Sequence, residues 1–97
     1  MSRPVHWSEL AVQHLASITL YISRTSPLYA DRMVERILRR VDTLGDFPDI
    51  GLRTSESEDE NVREVLENPY RILYLAQQSR IDILAIVHGR QDIEWPK

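Results

Sequence analysis

The sequence predicts an α+β fold, in which a short N-terminal strand and a helical hairpin pack on a C-terminal antiparallel β-meander. Two observations carry this prediction. Apolar residues recur at helical spacing through two long segments of the N-terminal half. Three strand-like runs, separated by turn signals, fill most of the C-terminal half. A chain of 97 residues has enough length for one core and too little for a second, so we expect a single domain over residues 1–97.

The first half of the chain predicts a strand and two helices. Residues 5–7 form a short edge strand, and Ser8 is a suitable N-cap for a helix over residues 8–24. Pro27, preceded by a second serine cap, marks the first turn of a helix over residues 27–44. Because only two residues separate the helices, we expect an antiparallel hairpin. The apolar stripes consist of Ala11, Leu15, Ile18 and Ile22 in the first helix and Ala30, Val34, Ile37, Val41 and Leu44 in the second.

The second half predicts an exposed loop and three strands. Gly45 and Pro48 end the helical pattern, and residues 45–61, which contain an acidic run, are expected to form a surface loop. An Asn-Pro pair separates the first strand from the second, and a short polar link separates the second from the third. The predicted strands cover residues 62–67, 70–76 and 81–88.

The last predicted strand is apolar on both faces, which is typical of a central strand covered on both sides. The face expected to pack on the helices carries Ile81, Ile83, Ala85 and Val87. Leu84 and Ile86 alternate with these residues and are therefore expected on the opposite face. The two helices cannot cover that face. We therefore expect a segment of a partner protein to contact Leu84 and Ile86.

The charge balance narrows the classes of partner. Twelve basic residues against fifteen acidic ones give a net charge of −3, and eleven of the twelve are arginine. Phosphate contacts dominate nucleic-acid affinity, so this balance argues against a protein that coats nucleic acid, and we expect no sequence-specific nucleic-acid binding by the chain alone. Arginine's planar fork of donors suits recognition of carboxylates or phosphates at a local site.

Several other classes are excluded by composition. The chain has no cysteine, which excludes disulfides, thiol catalysis and zinc–thiolate sites. No histidine–carboxylate spacing resembles a metal site and no glycine-rich phosphate loop exists, so we expect neither a metal nor a cofactor. No apolar leader opens the chain and no run has the length of a membrane-spanning helix, so we expect a soluble cytoplasmic protein without membrane contact.

Four residues are candidates for chemistry: Arg53 in the loop, Arg71 on the second predicted strand, and His88 with Arg90 at the end of the third. If Arg71 lies on the middle strand and His88 ends its neighbour, these groups are expected to converge on one face of the sheet. Such a cationic cluster can hold a phosphate, stabilise a pentavalent transition state or bind a carboxylate-rich peptide.

Each candidate also has a structural interpretation. Arg71 and Arg90 can pair with nearby acids such as Glu64 and Asp92, and His88 can satisfy its own hydrogen bonds at a strand end. The other histidines, His6 and His14, are interpreted as bystanders. The polar face of the second helix carries Arg32, Glu35, Arg36, Arg39 and Arg40. Such a face is usually solvated, but Arg36 and Arg40 remain candidates for a binding role.

Several short motifs, in this order, resemble the ParE/RelE superfamily of bacterial toxins, and the resemblance covers nearly the whole chain. The motifs are Trp7-Ser8 with Ala11, Phe47-Pro48 with Gly51 and Arg53, the segment from Tyr70 to Tyr74, and the segment from Ile86 to Asp92. The resemblance implies a β-α-α-β-β-β fold and a toxin that is neutralised by an antitoxin encoded beside it. Such antitoxins wrap an extended or helical segment around the toxin.

The superfamily contains two activities. RelE-like members are ribosome-dependent endonucleases that cleave mRNA, whereas ParE-like members inhibit DNA gyrase by binding it. Arg71 and Arg90 lie where RelE-like toxins carry arginines. The chain departs from that branch because its only lysine is Lys97, because no tyrosine follows the His88 to Arg90 segment, and because the region before the strands is acidic.

These departures, together with the long helical hairpin and the His-Gly-Arg ending, favour the ParE branch. The chain is therefore expected to be a gyrase inhibitor without enzymatic activity, bound to a ParD-like antitoxin. Two alternatives stay open: a RelE-like endonuclease that uses Arg71, His88 and Arg90, and a non-toxic family member that only binds an antitoxin. The residues expected to bind antitoxin or target are Arg36, Arg40, Arg53, Arg71, Leu84, Ile86, His88 and Arg90.

Overall fold

The computed structural model describes residues 2–54 and 57–89. In chain order the elements are β1 (Val5–Trp7), α1 (Glu9–Ser23), α2 (Pro27–Asp46), β2 (Leu52–Arg53), β3 (Val62–Glu67), β4 (Tyr70–Ala76) and β5 (Ile81–His88). The predicted α+β class is confirmed, as are the helical hairpin and the three strands of the meander. No helix in the described part of the chain combines the length and the apolar character needed to cross a membrane.

The two helices begin at the predicted caps. The Ser8 hydroxyl accepts a hydrogen bond from the Ala11 amide at 3.0 Å, and the Ser26 hydroxyl accepts one from the Tyr29 amide at 3.1 Å. Each bond satisfies one of the amides that a helix N-terminus leaves without a partner in the helix. Pro27 follows Ser26 at the start of α2, as expected.

Of Gly45 and Pro48, the two residues predicted to end the helical pattern, Pro48 lies just beyond the helix, whereas Gly45 lies inside it, because α2 continues to Asp46. Gly45 is buried inside the last turn, where the N-terminal segment crosses it. The Arg3 amide donates to the Gly45 carbonyl at 2.8 Å, and a Cβ at position 45 would lie 2.6 Å from the Arg3 carbonyl oxygen. The glycine therefore permits a close backbone approach rather than stopping the helix.

The sheet has five strands in the order β1-β5-β4-β3-β2. β1 lies at one edge, as predicted, and pairs parallel to β5, whereas the remaining neighbours are antiparallel. The opposite edge strand, β2, corrects the expectation that residues 45–61 form only a loop. Leu52 pairs with Glu64 and Arg53 with Arg63. Two residues are too few to show the alternation by which a strand is recognised in sequence.

Both helices cover one face of the sheet, which we call the helix face. The buried core there contains Ala11 and Ile22 of α1, Ala30, Met33, Ile37, Val41 and Leu44 of α2, and Val65, Tyr70, Ile72, Tyr74, Ile81, Ile83 and Ile86 of the strands. Leu15 and Ile18 are partly buried and pack against this core, as predicted. Val34 does not belong to it, and Met33 takes the place that the predicted stripe assigned to Val34.

A β-bulge in β5 changes which side chains face the helices. Leu73 pairs with Ala85 and the next residue, Tyr74, pairs with Ile83, so Leu84 is an extra residue in β5. Beyond the bulge the alternation resumes one residue out of step. The prediction that Ala85 and Val87 pack on the helices is therefore wrong. Ile86, expected on the opposite face, is instead buried in the core of the helix face.

The bulge is held by the N-terminal part of α1. The Ser8 amide donates to the Ile83 carbonyl at 2.9 Å, and the Ser8 hydroxyl donates to the Leu84 carbonyl at 3.0 Å. The Ile86 amide donates to Nδ1 of His14 at 3.1 Å. These three bonds supply partners for backbone groups at a place where the ladder of the sheet is interrupted.

Candidate functional site

Arg71 lies on the sheet face that the helices do not cover, which we call the outer face. It occupies β4, between β3 and β5, and its neighbours Tyr70 and Ile72 belong to the core of the helix face. Its guanidinium contacts the Glu64 carboxylate at 2.9 Å, with the two side chains 12% and 23% exposed. The ion pair considered as the structural interpretation of Arg71 is thus present, and its low exposure shields it from water.

His88 lies on the helix face, so the expected convergence of Arg71 and His88 does not occur. His88 pairs directly with Tyr70 across β4 and β5, and the two rings meet edge to face with centroids 6.1 Å apart. Because side chains alternate along β4, Tyr70 and Arg71 point to opposite faces of the sheet. Arg90 and Asp92 lie outside the described residues.

A cleft of about 350 Å³ lies between α1 and the adjoining ends of β4 and β5. Its lining consists of His14, Ser17, Ile18, Tyr21, Tyr70, Ile86 and His88. Burial, with the neighbouring hydroxyls of Tyr29 and Tyr21, raises the pKa of Tyr70 above its ordinary value. Of this lining, the sequence predicts a binding role only for Ile86 and His88, and it gives no such indication for Ser17, Tyr21 or Tyr70.

The interpretation of His14 as a bystander is wrong, because its ring accepts a hydrogen bond from the Ile86 amide and lines this cleft. Burial lowers its pKa, because an imidazolium is harder to desolvate than a neutral ring. A signal for this role is present in the sequence. His14 lies three residues after Ala11, on the same flank of α1 as the apolar stripe, and so points toward the sheet.

The outer face carries a small apolar cluster. Leu73, Ala85 and Val87 are buried there, in place of the predicted pair Leu84 and Ile86. Beside this cluster, Leu52 and Leu66 are 75% and 59% exposed. Leu52 pairs with Glu64, which lies two residues from Leu66 on β3, so the two leucines share the outer face. Leu84 is half-buried at the bulge.

The Phe47-Pro48 and Gly51 motif has a structural explanation. The Tyr74 hydroxyl donates to the Pro48 carbonyl at 2.8 Å and accepts the Gly51 amide at 2.9 Å. A Cβ at position 51 would lie 2.5 Å from that hydroxyl, which explains the glycine. Burial raises the pKa of Tyr74. The motif thus fixes the loop that leads into β2.

The remaining arginine candidates lie on the surface. Arg53 contacts Glu60 at 3.9 Å, with both side chains largely exposed. Arg36 of α2 contacts Glu67 of β3 at 3.0 Å. Arg40 lies one helical turn further along α2, and both arginines line a second, smaller cleft between α2 and β3. Within residues 2–54 and 57–89, histidine, aspartate and glutamate side chains form no group of three suited to a metal ion.

Comparison with known proteins decides the family. The family model described as the ParE toxin of the type II toxin–antitoxin system parDE matches residues 5–93. This chain belongs to the ParE toxin family. The resemblance to the ParE/RelE superfamily is thereby confirmed, and the chain is a type II toxin–antitoxin toxin by family.

Two named proteins are similar to this ParE-family chain. The protein Y4kP of Sinorhizobium fredii is 32% identical over 98 residues, which cover 100% of this chain and 98% of the relative. The toxin RelE2 of Caulobacter vibrioides is 33% identical over 86 residues, which cover 88% of this chain and 93% of the relative. Of these two relatives, the Caulobacter protein bears the name of the RelE branch.

Solved structures share the fold of this ParE-family chain. A chain of the chromosomal ParDE toxin–antitoxin system from P. aeruginosa superposes with a TM-score of 0.73 and 26% identity, covering 90% of this chain and 96% of that chain. A chain of the RelBE2 toxin–antitoxin complex from Mycobacterium tuberculosis gives a TM-score of 0.61 at 19% identity, covering 91% and 99%. At 19% identity, the similarity to the RelBE2 chain shows a shared fold and nothing further.

Proposed function

We propose that this ParE-family protein inhibits DNA gyrase by protein–protein binding in the cytoplasm and is neutralised by a cognate ParD-like antitoxin. The observation that carries the proposal is the match of the ParE toxin family model to residues 5–93. The similarity to the ParDE system of P. aeruginosa supports the same branch and an antitoxin partner.

The surroundings of Arg71 support binding over catalysis. A catalytic arginine must direct its donors at the place where charge develops on the phosphate. One Nη of Arg71 is instead held 2.9 Å from the Glu64 carboxylate, whose negative charge opposes the approach of a phosphate. His88, the second catalytic candidate, lies on the other face of the sheet. The two groups therefore cannot act on one phosphate in this arrangement.

The second candidate function is ribosome-dependent cleavage of mRNA. The observation that favours it is the 33% identity to a relative named toxin RelE2. In this alternative, Arg71 releases Glu64 and binds a phosphate of the mRNA instead. Its guanidinium then donates a hydrogen bond to the transition state.

The antitoxin is proposed to cover the outer face. Leu52 and Leu66 form an exposed apolar strip beside the buried cluster of Leu73, Ala85 and Val87. An extended or helical segment of the antitoxin that covers this strip removes apolar surface from water. Its acidic residues would compete with Glu64 for Arg71. The surface proposed for the antitoxin thus adjoins the most buried ion pair of the described residues.

Induced expression without the antitoxin tests the proposed target in cells. Incorporation of labelled thymidine and labelled methionine is followed separately during the first minutes after induction. Gyrase inhibition predicts that DNA synthesis stops first and that the DNA-damage response follows. An early stop in protein synthesis with continuing DNA synthesis would instead support mRNA cleavage. Co-expression of the antitoxin serves as the control and restores both rates.

A further inference from the structure

A cleft lined by more positively than negatively charged side chains lies on the side of α2 that faces β3. The cleft has a volume of about 240 Å³ and is lined by Arg36, Arg39, Arg40, Thr43 and Glu67. Three arginines and one glutamate give this lining a net charge of two positive units. Glu35 does not line the cleft but contacts Arg39 at 3.4 Å, which leaves an excess of one positive charge.

The arginines of this cleft differ in how they are engaged. Arg36 is 48% exposed and contacts Glu67 at 3.0 Å, so its charge is balanced across the α2–β3 contact. Arg39 and Glu35 are 76% and 67% exposed, and water screens a contact of that kind strongly. Arg39 therefore stays available to a ligand.

Arg40 carries the strongest indication of a ligand. Its Nε is buried and has no hydrogen-bond partner among the described residues. A buried N–H without an acceptor is unfavourable, because it has lost water and gained no replacement. Arg40 lines the cleft, and a carboxylate bound at the edge formed by Nε and one Nη would accept hydrogen bonds from both nitrogens.

We infer that this arginine cleft receives a carboxylate side chain from an acidic segment of a protein partner. The chain itself shows that the site accepts this chemistry, because Glu67 and Glu35 already contact Arg36 and Arg39. The inferred contact lies on α2, away from Arg71 and the outer face, and does not depend on which target the toxin inhibits.

Acidic neighbours favour a protein over a nucleic acid as the occupant. Glu67 lines the cleft, Glu35 contacts Arg39 beside it, and the whole chain carries a net charge of −3. A phosphodiester strand presents a charge at every nucleotide and would meet these carboxylates as well as the arginines. A single carboxylate fills the one-charge excess and avoids that repulsion. Charge complementarity thus selects an acidic protein segment.

The test is an NMR titration of the ¹⁵N-labelled full chain, freed of any partner, with acetylated hexaglutamate. Hexathymidylate and inorganic sulfate are titrated in parallel. We expect hexaglutamate to shift the Nε–Hε signal of Arg40 and the amides around it. Arg40→Gln should weaken this binding roughly tenfold to a hundredfold, the loss expected for a charge-assisted hydrogen bond.

Two further variants keep the test decisive. Arg39→Gln removes a mostly exposed side chain, so the fold should survive, and hexaglutamate binding should still weaken. Arg24→Gln, at the exposed C-cap of α1 and outside the cleft, is the matched control and should bind like the unaltered chain. Unchanged affinity of folded Arg39→Gln and Arg40→Gln proteins overturns the inference. Tighter binding of hexathymidylate at the same signals overturns the inference in favour of nucleic acid. Shifts with sulfate but not with hexaglutamate also overturn it, because the cleft is then a non-specific anion site.

Discussion

At the scale of single residues, His14 and Tyr74 each use a polar atom to hold a backbone segment. The tautomer of His14 follows from its partner, because a backbone amide can only donate and Nδ1 must therefore be unprotonated. The neutral imidazole is therefore compatible with the fold. An imidazolium would carry a proton on Nδ1, and this N–H would face the N–H of Ile86 without an acceptor between them. Burial acts in the same direction and lowers the pKa of His14.

This arrangement predicts a loss of stability in acid that depends on His14. The folded pKa lies below the unfolded value of about 6.5, so the contribution of His14 is complete above that pH and is lost as the pH falls through the folded pKa. His14→Asn keeps an acceptor near the position of Nδ1 but does not titrate. Urea unfolding between pH 7.5 and 5 should show a smaller decrease in the free energy of unfolding for this variant than for the unaltered chain.

His6→Asn is the matched control for the pH experiment, because His6 is exposed on β1. This variant retains His14 and should therefore keep the decrease in the free energy of unfolding that depends on His14. Equal pH dependence of His14→Asn and the unaltered chain would contradict the proposed role of Nδ1.

At the scale of secondary structure, the helices and the meander follow from the sequence for local reasons. A serine caps the start of each helix, Pro27 follows the cap of α2, and the Asn-Pro turn separates β3 from β4. The bulge at Leu84 has no such local cause. Its hydrogen-bond partners Ser8 and His14 lie seventy or more residues away in the chain, and the face assignment of Ile86 fails for that reason. The convergence of Arg71 and His88 fails because it requires knowledge of which face each strand position occupies.

The packing of α2 gives a prediction at this scale. Met33 is 1% exposed in the core, whereas Val34 is half-buried along the groove between α1 and α2. Met33→Ala should lower the free energy of unfolding by about 2–5 kcal/mol, the usual effect of a cavity. Val34→Ala should lower the free energy of unfolding by about 1 kcal/mol, because folding buries less apolar surface at Val34 than at Met33. Urea unfolding monitored by circular dichroism measures both, and a larger loss for Val34→Ala would contradict the assigned face.

At the scale of the whole molecule, the two faces of the sheet separate two tasks. The helix face contains most of the described core, so it supplies most of the apolar burial that stabilises the fold. The outer face combines a small buried cluster with exposed Leu52 and Leu66 and with the Arg71–Glu64 pair. That face therefore has the apolar surface and the charge expected of an antitoxin interface.

A matched pair of leucines tests this division. Leu66 on β3 and Leu20 on α1 are both 59% exposed, so a glutamate at either position perturbs the free chain to a similar extent. Leu66→Glu should weaken antitoxin binding at least about tenfold, because the complex must then bury a charge. Leu20→Glu should leave the affinity nearly unchanged. Calorimetric titration of each folded variant with purified antitoxin measures the difference, and the reverse order would place the antitoxin on the helical hairpin.

The most direct test of gyrase inhibition compares two assays on one preparation of purified toxin. DNA supercoiling by gyrase is measured beside cleavage of mRNA on programmed ribosomes, for the unaltered chain and for Arg71→Ala. We predict that the unaltered toxin inhibits supercoiling and leaves the message intact, and that Arg71→Ala produces no change in cleavage because none occurs. Codon-phased cuts that disappear with Arg71→Ala, together with undisturbed supercoiling, would contradict gyrase inhibition and establish the nuclease.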